Sequence, residues 1–318
     1  MILVFVDHEA GVPDVLSLEA LTFARRLAGS TGVPLEAVVF GSDPMPERLG
    51  AFGVATVHAI ADDRLKDYAP AAWAKGILDV MEADTPLAIL ASGSDRGNEV
   101  MAHVAAQADL ALAANCIDVE PGDPYVITRL RWGGSLLEEA QLSGRCKLMT
   151  VAPHALVPEE TTPTTPQVRN VAPVLSEDHF RVRVTGREAP EGGRISLADA
   201  RVVVGGGRGV GSAEGFRSLD ELASLLGGAV GVSRAVTNQG WRPHAEQVGQ
   251  TGTRIAPDLY IACGISGASQ HIVGCKGAKK ILAINTDPEA PILAHADYAV
   301  IADLHEVVPA LVEEIRRL

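Results

Sequence analysis

Short apolar runs recur down the chain, and between most of them the apolar positions spread out to helical spacing. Ile2–Val6, Leu35–Phe40, Val54–Ile60 and Leu87–Ala91 are dominated by Val, Ile, Leu and Ala, the pattern of strands buried on both faces. Between them, Ala20, Leu21, Phe23, Ala24 and Leu27 recur near a helical period before Gly29 and Gly32 end the run. Pro46–Phe52 reads as a short helix. Pro70 stands where a first helical turn begins, and the helix is expected to run to about Met81. A small-residue loop, Ser92–Asn98, then leads to a helix over Glu99–Ala108. Strands and helices alternating in this way predict a parallel sheet covered by helices on both faces. The Ser92–Asn98 loop lies at the carboxyl end of a strand, where such folds bind ligands. Capping of the next helix by Ser94 or Asp95 explains the same residues more simply.

The pattern changes after residue 110. Leu112–Val119, Tyr125–Trp132, Glu138–Gly144 and Lys147–Val151 are β-like, with turn signals at Pro121-Gly122-Asp123-Pro124 and Gly133-Gly134. They predict an antiparallel extension of the first domain. Pro158–Pro166 reads as a loop, and Phe180–Val184, with apolar and basic residues alternating, as an edge strand. Glu188–Arg194 is charged, rich in Pro and Gly and without apolar periodicity, so it reads as a linker. It divides the chain into an N-terminal α/β domain, 1–190, and a C-terminal domain, 191–318.

In the C-terminal domain the apolar runs are Arg201–Val204, Ala229–Gly231, Leu259–Cys263, Lys280–Ile284 and Tyr298–Ile301, with helices expected over Phe216–Leu226 and Glu306–Arg316. Trp241-Arg242-Pro243 reads as a loop. The five strands end at Gly205, Ser233, Gly264, Asn285 and Asp303. In a parallel sheet such ends line one edge, over which a long cofactor can lie. The densest stretch is Gln247–His271. There Gly249-Gln250-Thr251-Gly252 and Gly264-Ile265-Ser266-Gly267 flank one strand, and the second loop opens a helix carrying His271. Glycines let backbone approach a ligand, and N–H groups freed at a helix start attract phosphate or electron-rich oxygen. Gly205–Ser212 is a further glycine loop between a strand and a helix, but it matches neither G-x-G-x-x-G nor a lysine-bearing phosphate loop. Arg208 within it supplies a fixed, forked charge suited to a pyrophosphate or flavin oxygen.

Composition narrows the function classes. Of 318 residues 47% are hydrophobic and 21% charged, enough for two packed cores. The formal net charge of −13 argues against a nucleic-acid or anionic-membrane surface. Cys116, Cys146, Cys263 and Cys275 form no C-x-x-C pair and no zinc-type cluster with histidine, so no metal is expected and the thiols read as reduced packing residues. The chain starts on a strand without the features of a signal peptide, and no apolar run nears the ~20 residues that span a bilayer. A cytoplasmic protein with no direct membrane insertion is expected.

The words G-G-R-G at 206–209, V-S-R-A at 232–235, Q-V-G-Q-T-G at 247–252, G-I-S-G-A-S-Q-H at 264–271, A-I-N-T-D-P-E-A-P-I at 283–292 and A-D-Y-A-V-I-A-D-L at 296–304 closely resemble, in order and spacing, the electron transfer flavoprotein α subunits. The resemblance is specific over 197–318 and rests elsewhere on strand–helix order and the S-G-S-D-R-G-N stretch. It implies an electron carrier rather than a conventional enzyme. It further implies a Rossmann-like C-terminal domain holding FAD, and a heterodimer with a β subunit that itself holds AMP. Acyl-CoA and related dehydrogenases, as in fatty acid oxidation, would donate electrons, and a quinone oxidoreductase would accept them. Carried over to this chain, the flavin-contacting positions are Arg208, Ser233, Arg234, Val248, Gly249, Gln250, Thr251, Ser266, Gly267, Ala268, Ser269, Gln270, His271, Asn285, Asp303 and Leu304.

By the same resemblance Arg234 lies against the isoalloxazine, Thr251 bonds near N5 and His271 faces the O2 side. Reduction places negative charge on the N1/O2 edge, which a donor or a guanidinium there stabilises. Asn285 and Asp303 are assigned to the ribityl-adenosine end. Ser269, Thr253 and His305 depart from the usual family residues, which are apolar, lysine and aromatic in turn. Taken singly, His271 is more simply a satisfied helix histidine, Thr251 a cap and Arg234 a surface ion pair. The competing functions are an NAD- or FAD-dependent oxidoreductase with its own substrate, which needs a poised acid–base group, and a nucleotide-binding regulatory module.

Overall fold

The computed structural model describes residues 1–317 except 42, 66, 187–194 and 199. The linker expected over 188–194 falls outside the described residues. The chain divides into two compact units, Met1–Arg187 and Glu188–Leu318. Among the described residues no helix is long and apolar enough to cross a membrane.

The first unit runs β1 (Ile2–Phe5), β2 (His8–Glu9), β3 (Val12–Pro13), α1 (Val15–Thr31), β4 (Leu35–Phe40), α2 (Pro46–Gly50), β5 (Thr56–Ile60), α3 (Pro70–Asp84), β6 (Ala88–Ser92), α4 (Asp95–Ala108), β7 (Leu112–Glu120), β8 (Tyr125–Arg131), β9 (Leu136–Leu142), β10 (Lys147–Val151) and β11 (Gln167–Val171). Nine strands form one sheet in the order β11-β5-β4-β1-β6-β10-β7-β8-β9. Only the β7–β8 and β8–β9 joins of this sheet are antiparallel. The side-chain alternation of a strand explains why β1 is apolar throughout. Ile2, Val4 and Val6 enter one core with α1, while Leu3 and Phe5 enter a second core with α3 and α4.

Helix ends follow local chemistry. Asp14 caps α1 by accepting a bond from the Leu16 N–H at 2.6 Å, and Gly32 ends it at φ 67°, a conformation that costs glycine little. Ser94 caps α4, accepting from the Gly97 N–H at 3.0 Å. The structure therefore gives Ser94 its capping role and starts α4 at Asp95, inside the stretch expected to be loop.

Two strand expectations are corrected. β10 is not part of the antiparallel extension; it lies parallel between β6 and β7. Residues 180–184 form no strand. Phe180 instead ends a 3-10 turn, Glu177–Phe180, and its ring receives the Arg64 guanidinium at 5.2 Å. The edge strand is β11, which pairs with β5. Its sequence, QVRNV, is mostly exposed and polar, so it lacks the apolar signal of a strand.

The second unit runs β12 (Val202–Gly206), α5 (Arg217–Leu225), β13 (Ala229–Val232), α6 (Arg234–Asn238), β14 (Leu259–Cys263), α7 (Ser269–Cys275), β15 (Ile281–Asn285), β16 (Tyr298–Ile301) and α8 (Leu304–Arg317). Its sheet has the order β13-β12-β14-β15-β16, all parallel. Gly206 is level with Val232 and Cys263, Cys263 with Ile284, and Asn285 with Ile301. The loops after all five strands thus leave one edge, as the sequence implied. Strand order reverses at β12, between the loops that follow β12 and β14, the position at which such sheets bind ligands. One face of the sheet packs Val204, Ile261 and Ile284 under Phe216, Leu219, Val308 and Val312. The other packs Val203, Tyr260 and Ala283 against Ile255, Ile265, Cys275 and Ile292.

Candidate functional site

Glycines let the edge loops of the second unit pack on one another. A Cβ on Gly207 would lie 2.1 Å from the Gly264 carbonyl oxygen, and one on Gly267 would lie 2.3 Å from the Ile292 nitrogen. Gly205 and Gly206 make room for Tyr260 and Phe216. These glycines were expected to admit a ligand, yet the space beside them is taken by the protein itself. Their missing side chains let the loops pack against one another. Gly249, at φ 149°, adopts backbone that favours glycine, and its Cβ would lie 3.1 Å from the Gln270 carbonyl oxygen. Backbone bonds lock the two halves of the 247–271 stretch. The Gln250 N–H donates to the Gln270 carbonyl at 2.8 Å, and the Ile255 N–H to the Gly274 carbonyl at 2.8 Å.

Gln247 is almost wholly buried beneath the first loop. Its Nε2 donates to Thr251 Oγ1 at 2.9 Å, and its Oε1 accepts from Thr237 Oγ1 at 2.7 Å. The Thr251 side chain is exposed. With Oγ1 accepting from behind, its own hydrogen is left to donate outward. His271, the third residue of α7, is buried, and its Nε2 lies 2.8 Å from the Tyr260 hydroxyl. Among the described residues its buried Nδ1 meets no hydrogen-bond partner. Burial pushes the imidazole down to about 4, against a smaller upward pull from the Val248 backbone. At neutral pH the ring is uncharged.

Arg208 and Arg234, both exposed, follow β12 and β13 and enter no ion pair among the described residues. Ser233 precedes α6, and its N–H donates to the Gly206 carbonyl at 3.0 Å. Ser266, Ala268, Ser269 and Gln270 expose their side chains along the β14–α7 loop and the start of α7. α7 has only seven residues, so the contribution expected from its dipole is small. Val248 and Leu304 bury their side chains in opposite cores, leaving only backbone for a ligand. Asn285 braces two loops, donating through Nδ2 to the Ile265 carbonyl at 2.9 Å and accepting at Oδ1 from the Asp287 N–H at 3.0 Å. Asp303 accepts from the His305 N–H at 2.9 Å at the start of α8. The edge therefore gathers the expected positions, but Asn285 and Asp303 already hold the fold.

Sequence reasoning missed Gln247 and Tyr260 as partners of the site. The available signals were a glutamine four residues before Thr251 and a tyrosine inside an otherwise apolar strand, because a buried phenol needs a partner for its hydrogen. The assembled edge offers two unneutralised guanidiniums, an outward hydroxyl and a buried ring nitrogen awaiting a partner. That set suits a large anionic cofactor carrying both phosphate and ring oxygens, and the residues present fit a flavin dinucleotide. Among the described residues no group of His, Cys, Asp and Glu could hold a metal ion.

Comparison with known proteins gives two family-model matches. One, described as the electron transfer flavoprotein domain, covers residues 2–175, and the other, the electron transfer flavoprotein FAD-binding domain, covers residues 196–276. The chain is 33% identical to the electron transfer flavoprotein subunit alpha of Thermoanaerobacterium thermosaccharolyticum, across 99% of this chain and 97% of that protein. It is 36% identical to the subunit alpha of Mycobacterium leprae, over 99% and 98% of the two chains. Protein FixB of Clostridium saccharobutylicum is 35% identical over 99% of this chain and 96% of its own length. A solved thiamine diphosphate-dependent 4-hydroxybenzoylformate decarboxylase from Rhodococcus jostii aligns with 98% of this chain and 59% of its own, at 12% identity and a TM-score of 0.27. A likeness that slight carries no argument.

Proposed function

The chain belongs to the electron transfer flavoprotein α-subunit family, and from that premise we propose that it is the α subunit of an αβ heterodimer whose second unit holds one FAD. The observation that carries the reading is the meeting, on one sheet edge, of Arg208 and Arg234, in no ion pair among the described residues, the outward Thr251 hydroxyl and the buried Nδ1 of His271, which meets no hydrogen-bond partner among them. When bound, FAD supplies the one-electron redox chemistry. The residues of the chain bind and tune it. Arg208 would counter phosphate or ring-oxygen charge, and Arg234 would hold the isoalloxazine. Thr251 and His271 would donate hydrogen bonds to the flavin ring, near N5 and on the O2 side in turn. Val248 to Gln250 and Ser266 to Gln270 would supply further contacts to the cofactor. Ser233, Asn285, Asp303 and the Leu304 backbone serve the remainder.

Electrons come from acyl-CoA and related dehydrogenases and pass to a quinone oxidoreductase, in the bacterial cytoplasm, with AMP in the β subunit. The alternative, an oxidoreductase with its own substrate, needs a group that takes up a proton near neutral pH. His271, pushed down to about 4 by burial, is a weak base, which favours a carrier. Coexpression with its β partner tests the proposal: the complex is expected to be yellow, with one FAD per heterodimer by absorbance. A colourless complex that binds NAD instead contradicts it.

A further inference from the structure

Tyr260 lies on β14, beneath the ligand-facing edge, and is fully buried. Gly205 on the adjacent strand gives its hydroxyl room, since a Cβ there would stand 2.3 Å from the phenol oxygen. Among the described residues the only hydrogen bond of this hydroxyl is the one to His271 Nε2, at 2.8 Å. We propose that Tyr260 is a positioning residue of the flavin site: its O–H donates to His271 Nε2, so the imidazole carries its proton on Nδ1 and presents it to an acceptor oxygen of the cofactor. This rests on the function proposed above.

The direction of the bond follows from counting hydrogens. A phenol has one hydrogen to donate, and a neutral imidazole has one N–H and one acceptor nitrogen. Were Nε2 to donate, the Tyr260 hydrogen would be buried with no acceptor, and a buried donor left unmade carries its full desolvation cost. With Tyr260 donating, both hydroxyl and Nε2 are satisfied, and the single N–H falls on Nδ1. That nitrogen is the buried ring atom that meets no hydrogen-bond partner at bonding distance and angle among the described residues. Within the chain only the Val248 backbone pulls on the ring, and more weakly than burial, so its hydrogen is open to an acceptor from outside the chain, and a ring oxygen that gains negative charge on reduction is such a group. Burial supports the assignment twice: it pushes the Tyr260 phenol well above its ordinary value, so it keeps its hydrogen, and it keeps the imidazole neutral. Tyr260 does not touch the cofactor in this scheme; it acts through His271.

The test reads the ring proton directly. In the full chain with 15N-labelled histidine, the His271 resonances, assigned by their loss in His271→Gln, are expected to show Nδ1 protonated and Nε2 unprotonated at neutral pH. In Tyr260→Phe the proton is expected to move to Nε2. In the FAD-loaded heterodimer of this variant the one-electron reduction equilibrium should weaken at least tenfold, or about 59 mV, because an acceptor nitrogen then faces the oxygen. A wild-type ring protonated on Nε2 overturns the proposal even if the variant fails to fold, and so does a Tyr260→Phe ring whose proton stays on Nδ1. A chain that takes up no FAD refutes the function of the site instead, while the wild-type spectrum still decides where the proton sits.

Discussion

A neutral imidazole held inside a fold makes stability depend on acid. His271 is pushed by burial from an ordinary 6.5 down to about 4, and no charged side chain contributes to the shift. Its folded value thus lies below its unfolded one. Above pH 6.5 neither state binds the proton; between 6.5 and 4 the unfolded chain binds it and the native chain does not. Stability is expected to fall through that window, by about 3 kcal/mol in total, and then to level off below pH 4. Denaturant midpoints of the chain in its cofactor-free form, followed across the window, should drop more steeply for wild type than for His271→Gln. Parallel curves would show that this ring is not buried as described. The motif words make His271 and Thr251 legible in the sequence, but not the groups behind them. The partners that Gln247 and Tyr260 take become visible only when β14 and the 247–252 loop are folded together, because hydrogen-bond direction depends on a third dimension that spacing does not contain.

Among the elements, α4 offers the clearest local test. Ser94 Oγ satisfies the Gly97 N–H, one of the donors an α-helix leaves unpaired at its start. Ser94→Ala should cost about 1 kcal/mol in urea unfolding, and Ser94→Asp should recover most of it; an unchanged Ser94→Ala would remove the cap from the account. The same element shows what the pattern could and could not tell. The strands Leu35–Phe40, Leu259–Cys263 and Tyr298–Ile301 begin and end where the sequence put them. The first two are apolar runs that end at glycine or proline. α4 begins four residues earlier than expected, since the polar first turn of a capped helix carries no apolar period. β11 escaped because an exposed edge strand need not be apolar, and 180–184 misled because alternation of apolar and basic residues also suits a chain lying on a surface. The interior place of β10 rests on a crossover, which no local window records.

At the scale of the whole molecule, the division of labour lies between two sheets of different construction. The first unit closes its parallel sheet with an antiparallel arm, β7-β8-β9. The second is a small, wholly parallel sheet with every strand end on one edge. That edge was readable because five apolar runs each stop at Gly, Ser, Asn or Asp, and a parallel sheet turns such a list into a line in space. What the list could not distinguish was which polar ends face a ligand and which brace the loops, as Asn285 and Asp303 do. A cofactor bound only by the native edge should raise the unfolding temperature of the second unit in proportion to the logarithm of its concentration. Calorimetry with added FAD checks this; a transition indifferent to FAD would contradict it. The most direct test of the central claim, that this edge holds and tunes a flavin through His271, is potentiometric titration of the FAD-loaded heterodimer, wild type beside His271→Ala. Loss of a charge-assisted hydrogen bond of about 1.5–3 kcal/mol should lower the first one-electron potential by roughly 65–130 mV, whereas equal potentials in the two proteins would contradict the account.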